Sequence, residues 1–293
     1  MKKYLQRILI FVLGFPFIIA VVMLLPHKHH IVFNLLVTAF SSLGAAEFSA
    51  MLSHKNISIS KKEAAVFGAL PPLAMILVVS FGVSGLLIPA VFAAVVIWLL
   101  ISRTFSRGDA LENFIYRLAA GLAALVYPGM LLAWLVRISH LEENIGVTNT
   151  GIIILTFVFM VFSGDGLAWV LGVAFGKGNQ GLIPASPNKS VAGFIGAVIA
   201  PIIVGVGTVL IWPGVFVPIR SSIFGNPVVA GFIVGLLTGI AAILGDLAES
   251  AIKRSSGIKD SGSLIPGRGG VLDSIDSVAL AAPVFYLVFT TLF

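Results

Sequence analysis

The sequence contains no cysteine. That excludes disulfides, thiolate metal sites and cysteine nucleophiles together, and it leaves the redox compartment without a marker. Charge is scarce as well. Asp, Glu, Lys and Arg make up 10% of the 293 residues, where a soluble domain carries about 25%. No G-x-x-x-x-G-K-[ST] sequence occurs, so a P-loop is not supported. What is present instead is a series of apolar runs of about 20 residues, the length that crosses a bilayer as a helix. Hydrophobic residues reach 58% and mean hydropathy is +1.10. Lipid offers no hydrogen-bond partners, so spanning backbone must be helical or a closed barrel, and continuous runs select helices.

The pattern predicts an all-α polytopic membrane protein with about nine transmembrane helices. They fall at about 8–25, 31–52, 64–80, 83–101, 118–138, 151–175, 191–212, 228 into the helix bearing Asp246, and 278–293. The first follows Lys2, Lys3 and Arg7 and reads as a retained helix, because the run is long and no A-x-A-like site follows it. Pro128-Gly129 predicts a break in the fifth span. With the N-terminus inside, only Lys28, Arg137 and Arg220 of the 18 Lys and Arg lie outside, leaving 15 inside. This asymmetry places the N-terminus in the cytoplasm and the C-terminus on the opposite side. The loop 176–190 and the region 246–276 then share the cytoplasmic face. The net charge of +6 follows from the same asymmetry, and no nucleic-acid partner is expected. Residues 1–150 form an N-terminal set of about five spans and 151–293 a catalytic set of about four with the motif loops. Together they make one integral membrane unit.

Charge concentrates in one place. Five of the 12 acidic residues, Asp246, Glu249, Asp260, Asp273 and Asp276, lie between Gly245 and Asp276, with Lys253, Arg254, Lys259 and Arg268. Charges beside a bilayer core are costly, so such a cluster points to function. Asp246, Glu249, Ser250 and Lys253 recur on one helical face, and Glu249–Lys253 has the spacing of a structural pair. The helix is expected to stop near Gly257. Residues 261–270 read as a loop, in which Gly267, Gly269 and Gly270 let backbone N–H groups approach an anion. Asp273 and Asp276 follow at the start of the last helix. Carboxylates without His or Cys suit Mg²⁺, and adjacent Lys and Arg suit phosphate oxygens. Asp246 and Asp273, with no easy local partner, are the best candidate metal ligands. Metal-assisted phosphoryl transfer is the chemistry these groups fit.

The run Ser250-x-Ile252-Lys253-Arg254-x4-Lys259-Asp260-x-Gly262-x2-Ile265-Pro266-x-Arg268-Gly269-Gly270-Val271-x-Asp273-x-Ile275-Asp276 closely resembles the signature of phosphatidate cytidylyltransferases, also called CDP-diacylglycerol synthases. Arg268 stands where that family often has His, and Ser274 where Arg is usual. A looser match covers Asp165-Gly166-Leu167-Ala168-Trp169, Gly172, Gly176-Lys177 and Ser186-Pro187-Asn188-Lys189-Ser190-x2-Gly193. There Trp169 replaces Tyr, Ser190 replaces Thr and Ala192 replaces Glu.

The resemblance implies transfer of a cytidylyl group from CTP to phosphatidic acid in the bilayer, with release of pyrophosphate. It implies Mg²⁺, with a second cation left open, held by Asp246, Asp273 and Asp276. Asp246, Asp273, Lys253 and Lys259 would be the catalytic group. Asp165, Lys177, Ser186, Lys189, Ser250, Arg254, Asp260, Arg268, Gly269 and Gly270 would bind substrate. The expected location is a bacterial cytoplasmic membrane with the site facing the cytoplasm.

Two other readings use the same residues: a CTP-dependent lipid-alcohol kinase, and an ion-coupled transporter. Charge gathered at one face beside a glycine-rich loop favours the enzyme over the transporter. Glu47, alone in the second span, either bonds between helices or lines a lipid cavity. His27, His29 and His30 form a tight polar turn on the side opposite the chemistry. Gly193-x-x-Gly196 and Gly231-x-x-x-Gly235 read as helix contacts, and such small-residue faces allow a homodimer.

Overall fold

The computed structural model describes residues 2–55, 57, 59–105, 107, 109–141, 149–216 and 225–293. Arg220 and the middle of the 140–150 loop lie outside the described residues. The helices are α1 (Lys2–Leu24), α2 (His27–Ser53), α3 (Lys61–Phe81), α4 (Leu87–Thr104), the short α5 (Asp109–Glu112) and α6 (Phe114–Ala124). A π-helical turn, Leu125–Met130, joins α6 to α7 (Leu131–Ile138). Then come α8 (Thr150–Phe175), α9 (Val191–Ile211), α10 (Pro227–Ser255) and α11 (Leu272–Leu292).

Among the described residues, seven helices are long and apolar enough to cross a membrane, and Val12–Leu24 and Leu87–Ser102 are shorter apolar helices. Together they correspond to the nine expected spans, and the protein is an integral membrane protein. One boundary shifts from expectation: Gly82, at φ +67°, ends α3, so α4 begins at Leu87 rather than 83. The last helix begins at Leu272, ahead of its apolar run, and Asp273 and Asp276 fall in its first two turns as expected.

The chain divides into two compact units, Met1–Arg137 with Lys253–Ile275, and Ile138–Ile252 with Asp276–Phe293. In the first unit α2 packs on α3 through small residues. A Cβ at Gly68 would stand 2.5 Å from that of Ala45. Ser41 Oγ lies 2.6 Å from the carbonyl oxygens of both Gly68 and Pro128. The break expected at Pro128-Gly129 is the π-helical turn. Proline has no N–H to give the preceding turn, and the local widening absorbs that loss. Lys28, His29 and His30 take left-handed backbone angles, φ 47°, 54° and 56°, which makes the tight turn expected after Pro26.

In the second unit α8 and α9 each start on a side-chain cap. Asn149 Oδ1 accepts from the Ile152 N–H at 3.2 Å, and Ser190 Oγ accepts from the Gly193 N–H at 3.1 Å. Glycines again set the contacts: a Cβ at Gly231 would come 2.6 Å from the Gly205 carbonyl oxygen. Gly196 and Gly235 also face backbone atoms, of Leu167 and of Pro201–Ile202. Without a hydrophobic drive between helices in lipid, such close backbone approach is what holds them together. Phe157, Phe285, Phe289 and Phe293 form a row of rings with successive centroids 5.2, 5.4 and 5.0 Å apart, the first pair tilted and the other two stacked.

Candidate active site

The charged residues lie where α10 ends and α11 begins. In the first unit, Gly257 at φ +74° closes α10. Its N–H reaches the Arg254 carbonyl at 3.0 Å and the Ile258 N–H reaches the Lys253 carbonyl at 3.0 Å, a Schellman stop. The loop then folds on itself around Pro266-Gly267. The Ile265 N–H donates to the Gly269 carbonyl at 2.8 Å, and the Gly269 N–H returns to Ile265 at 3.0 Å. Gly267 and Gly269 hold φ of +77° and +113°, backbone that other residues rarely adopt.

Asp273 is the centre of this loop. Its Oδ2 accepts from the Gly270 N–H at 2.7 Å, the Ser261 N–H at 2.9 Å and the Ser261 hydroxyl at 3.0 Å. Its Oδ1 accepts from Lys253 Nζ at 2.6 Å. The loop glycines therefore bring backbone donors to an anion that belongs to the protein itself. A Cβ at Gly269 would stand 2.5 Å from Asp273 Oδ2 and could not be accommodated without movement. One oxygen of Asp273 is filled by the loop; the other faces the Lys253 ammonium group.

In the second unit Lys189, from the loop before α9, pairs with Asp246 Oδ2. Ser250 Oγ lies 3.4 Å from Asp246 Oδ1. Gly245 has no side chain, so α10 runs close against α11: a Cβ there would be 2.5 Å from the Asp276 carbonyl oxygen. Asp276 is 5% exposed, and Glu249 is fully buried. The charges of Asp246, Asp165 and Glu249 all bear on Asp276. Beside them is an apolar cavity of about 500 Å³, lined by Leu182, Phe194, Ile195, Val198, Ile243 and Leu247. Lys189 Nζ sits 5.9 Å above the Phe194 ring, so the cavity has a cationic neighbour.

The sequence candidates separate accordingly. Lys253 and Asp273, with Gly270, come together in the first unit. Lys189, Asp246 and Ser250 come together in the second, where Asp276 and Asp165 join them electrostatically. Lys177, Arg254, Lys259 and Asp260 are exposed, and Arg254 donates to the Ile258 carbonyl at 3.3 Å. Ser186 and Arg268 are half-buried in their loops, where the Lys189 N–H reaches the Ser186 carbonyl and the Arg268 N–H that of Ile265, each at 3.1 Å. Asp246 and Asp273, expected to lack easy partners, each have a lysine. Ser261 carries no motif signal, and the sequence does not single it out. Glu47, for which the sequence offers a bond between helices or a place on a lipid cavity, accepts from the Leu272 N–H at 2.9 Å and lies 3.0 Å from Ser261 Oγ.

Hard carboxylate oxygens with no His or Cys among them fit Mg²⁺ by donor chemistry. Among the described residues, no three His, Asp or Glu side chains are already gathered as a ligand set.

Fold and site define a polytopic helical membrane protein whose charged machinery is a set of lysine–aspartate pairs at helix ends. The chain belongs to the cytidylyltransferase family, whose model matches residues 5–292. It is 42% identical over 139 residues to a phosphatidate cytidylyltransferase of Haemophilus influenzae, covering 46% of this chain and 45% of that protein. It is 37% identical over 140 residues to one from Synechocystis, covering 47% and 43%. It is 32% identical over 168 residues to one from Bacillus subtilis, covering 56% and 55%. The chain spans about half the length of the curated relatives it matches.

Proposed function

We propose that this protein transfers a cytidylyl group from CTP to phosphatidic acid, giving CDP-diacylglycerol and pyrophosphate. A phosphate oxygen of the lipid forms a bond to the α-phosphorus of CTP. The bond from that phosphorus to the bridging oxygen breaks in line, and its electron pair leaves with pyrophosphate. The attacking phosphate is already an anion, so no general base is required. The observation that carries the reading is the Lys253–Asp273 pair, which joins the helix ends on either side of the signature loop. Lys253 would serve a phosphate oxygen, and Asp273 would offer a carboxylate to a counter-cation.

In this reading Lys189, Lys253, Lys259 and Arg268 neutralise phosphate oxygens, with Arg254 and Ser250 nearby in sequence. Asp165, Lys177, Ser186, Asp260, Gly269 and Gly270 shape the substrate side. The carboxylates that would serve Mg²⁺ are Asp273 in the first unit and Asp246 and Asp276 in the second. When bound, the ion supplies charge neutralisation and orientation of the phosphates. The apolar cavity beside Lys189 supports a lipid substrate, whose chains need an apolar wall next to a cation for the headgroup. The location that goes with this reading is a bacterial cytoplasmic membrane, with the nucleotide taken from the cytoplasm.

Purified protein in phosphatidic acid micelles tests the proposal with CTP labelled at either phosphorus. Label from the α-phosphate is expected in the lipid, with unlabelled pyrophosphate released. Label arriving from the γ-phosphate would replace the reading with a kinase.

A further inference from the structure

We propose that Glu47 is a positioning residue that holds the signature loop in shape from helix α2, and that it does so as a hydrogen-bond acceptor rather than as a charge. The inference deepens the cytidylyl-transfer reading. Three observations in the first unit carry it. Glu47 Oε2 accepts from the Leu272 N–H at 2.9 Å, so a residue more than two hundred positions earlier caps the helix that bears Asp273. The first N–H groups of a helix have no partner of their own, and an acceptor of any charge satisfies one of them.

The Ser261 hydroxyl lies 3.0 Å from Glu47 Oε2 and 3.0 Å from Asp273 Oδ2. It has one proton, so it serves the two carboxylates alternately and ties them into one network. The Asp273 N–H reaches back to the same hydroxyl at 3.3 Å.

The loop is also wrapped directly on the Glu47 carboxylate. A Cβ at Gly262 would stand 2.8 Å from Glu47 Cδ, and one at Gly270 would meet Glu47 Oε2 and Ser261 Oγ. These two signature glycines are thus explained by a side chain outside the signature. The donors on Glu47 are a backbone N–H and a hydroxyl, both neutral. A glutamine carbonyl can accept from both, whereas alanine can accept from neither. That difference separates positioning from a role in proton transfer or metal binding, for which the charge is needed.

The test uses E47A and E47Q in the full chain, with amide hydrogen exchange across residues 261–273 beside the rate of transfer. E47A is expected to speed exchange through that segment and to lower kcat by about 10- to 100-fold, as loss of a supporting partner does. E47Q is expected to keep both close to the unsubstituted protein. E47Q as slow as E47A would overturn the acceptor role, and E47A with unchanged exchange would overturn positioning. If E47A does not survive extraction, Ser261→Ala takes its place. It removes the shared hydroxyl and is expected to speed exchange at 270–273, and unchanged exchange there would equally overturn the proposal. Exchange requires no turnover, so its outcome is independent of whether cytidylyl transfer is the reaction.

Discussion

The two units treat their principal aspartates differently. In the first, Asp273 is enclosed: the loop supplies three donors to one oxygen and Lys253 fills the other. The Lys253 and Asp273 side chains are 12% and 7% exposed. In the second, Asp246 has Lys189 and a longer contact to Ser250, and the paired side chains are 28% and 31% exposed. The difference teaches that Asp273 is part of the loop's architecture as well as a candidate ligand. Asp246 stands in a wetter place, with a lysine partner that is equally open to solvent.

The largest effect expected is on the proposed transfer itself. Chelation of divalent cations should lower transfer by roughly 10³-fold or more, since a bound ion supplies several kcal/mol of charge stabilisation. Added Mg²⁺ should restore it. The same chelation should leave the melting temperature unchanged, because both aspartates already have lysine partners without an ion. Melting that collapses with chelation would show the ion to be structural.

Next, the lysines should part company. Lys253→Met leaves Asp273 enclosed and unpaired, a change that costs about 3–5 kcal/mol in a buried pair. Lys189→Met should cost no more than about 1 kcal/mol, as for other pairs open to solvent. Thermal melting of the two proteins side by side checks the contrast. Equal losses would mean that the enclosure of Asp273 has no energetic weight.

The smallest effects concern glycines. Gly270→Ala puts a methyl group against Ser261 Oγ and Glu47 Oε2 and should open the loop, seen as faster amide exchange. In the second unit Gly166→Ala and Gly207→Ala meet nothing within 4 Å on their helices. Those two should be neutral or stabilising by about 0.5–1 kcal/mol, the helix preference of alanine over glycine.

Hydropathy made the spans legible because each apolar run reports its own burial in lipid. Pro128-Gly129 and Gly257 marked a break and a stop for local steric reasons that act within a few residues. The partners of the charged groups were hidden. Helical spacing sees only neighbours three or four residues away, so for Lys253 it could not show the longer contact. The lysine reaches Asp273, 20 residues on, while Lys189 reaches Asp246, 57 residues on. Glu47 and Leu272 are separated by 225 residues, a distance at which no periodicity carries information. Gly270 was read as a donor to an outside anion, and its N–H is given to Asp273, because the acceptor is set by how the loop closes and not by its composition.

The most direct test is the rate of α-phosphate transfer from CTP to phosphatidic acid by Asp273→Asn and Asp246→Asn, each measured with its melting curve. The account predicts that both lose transfer by about 10²–10³-fold, that Asp273→Asn also melts earlier, and that Asp246→Asn melts as the unsubstituted protein does. An Asp273→Asn protein that transfers at the unsubstituted rate would contradict it.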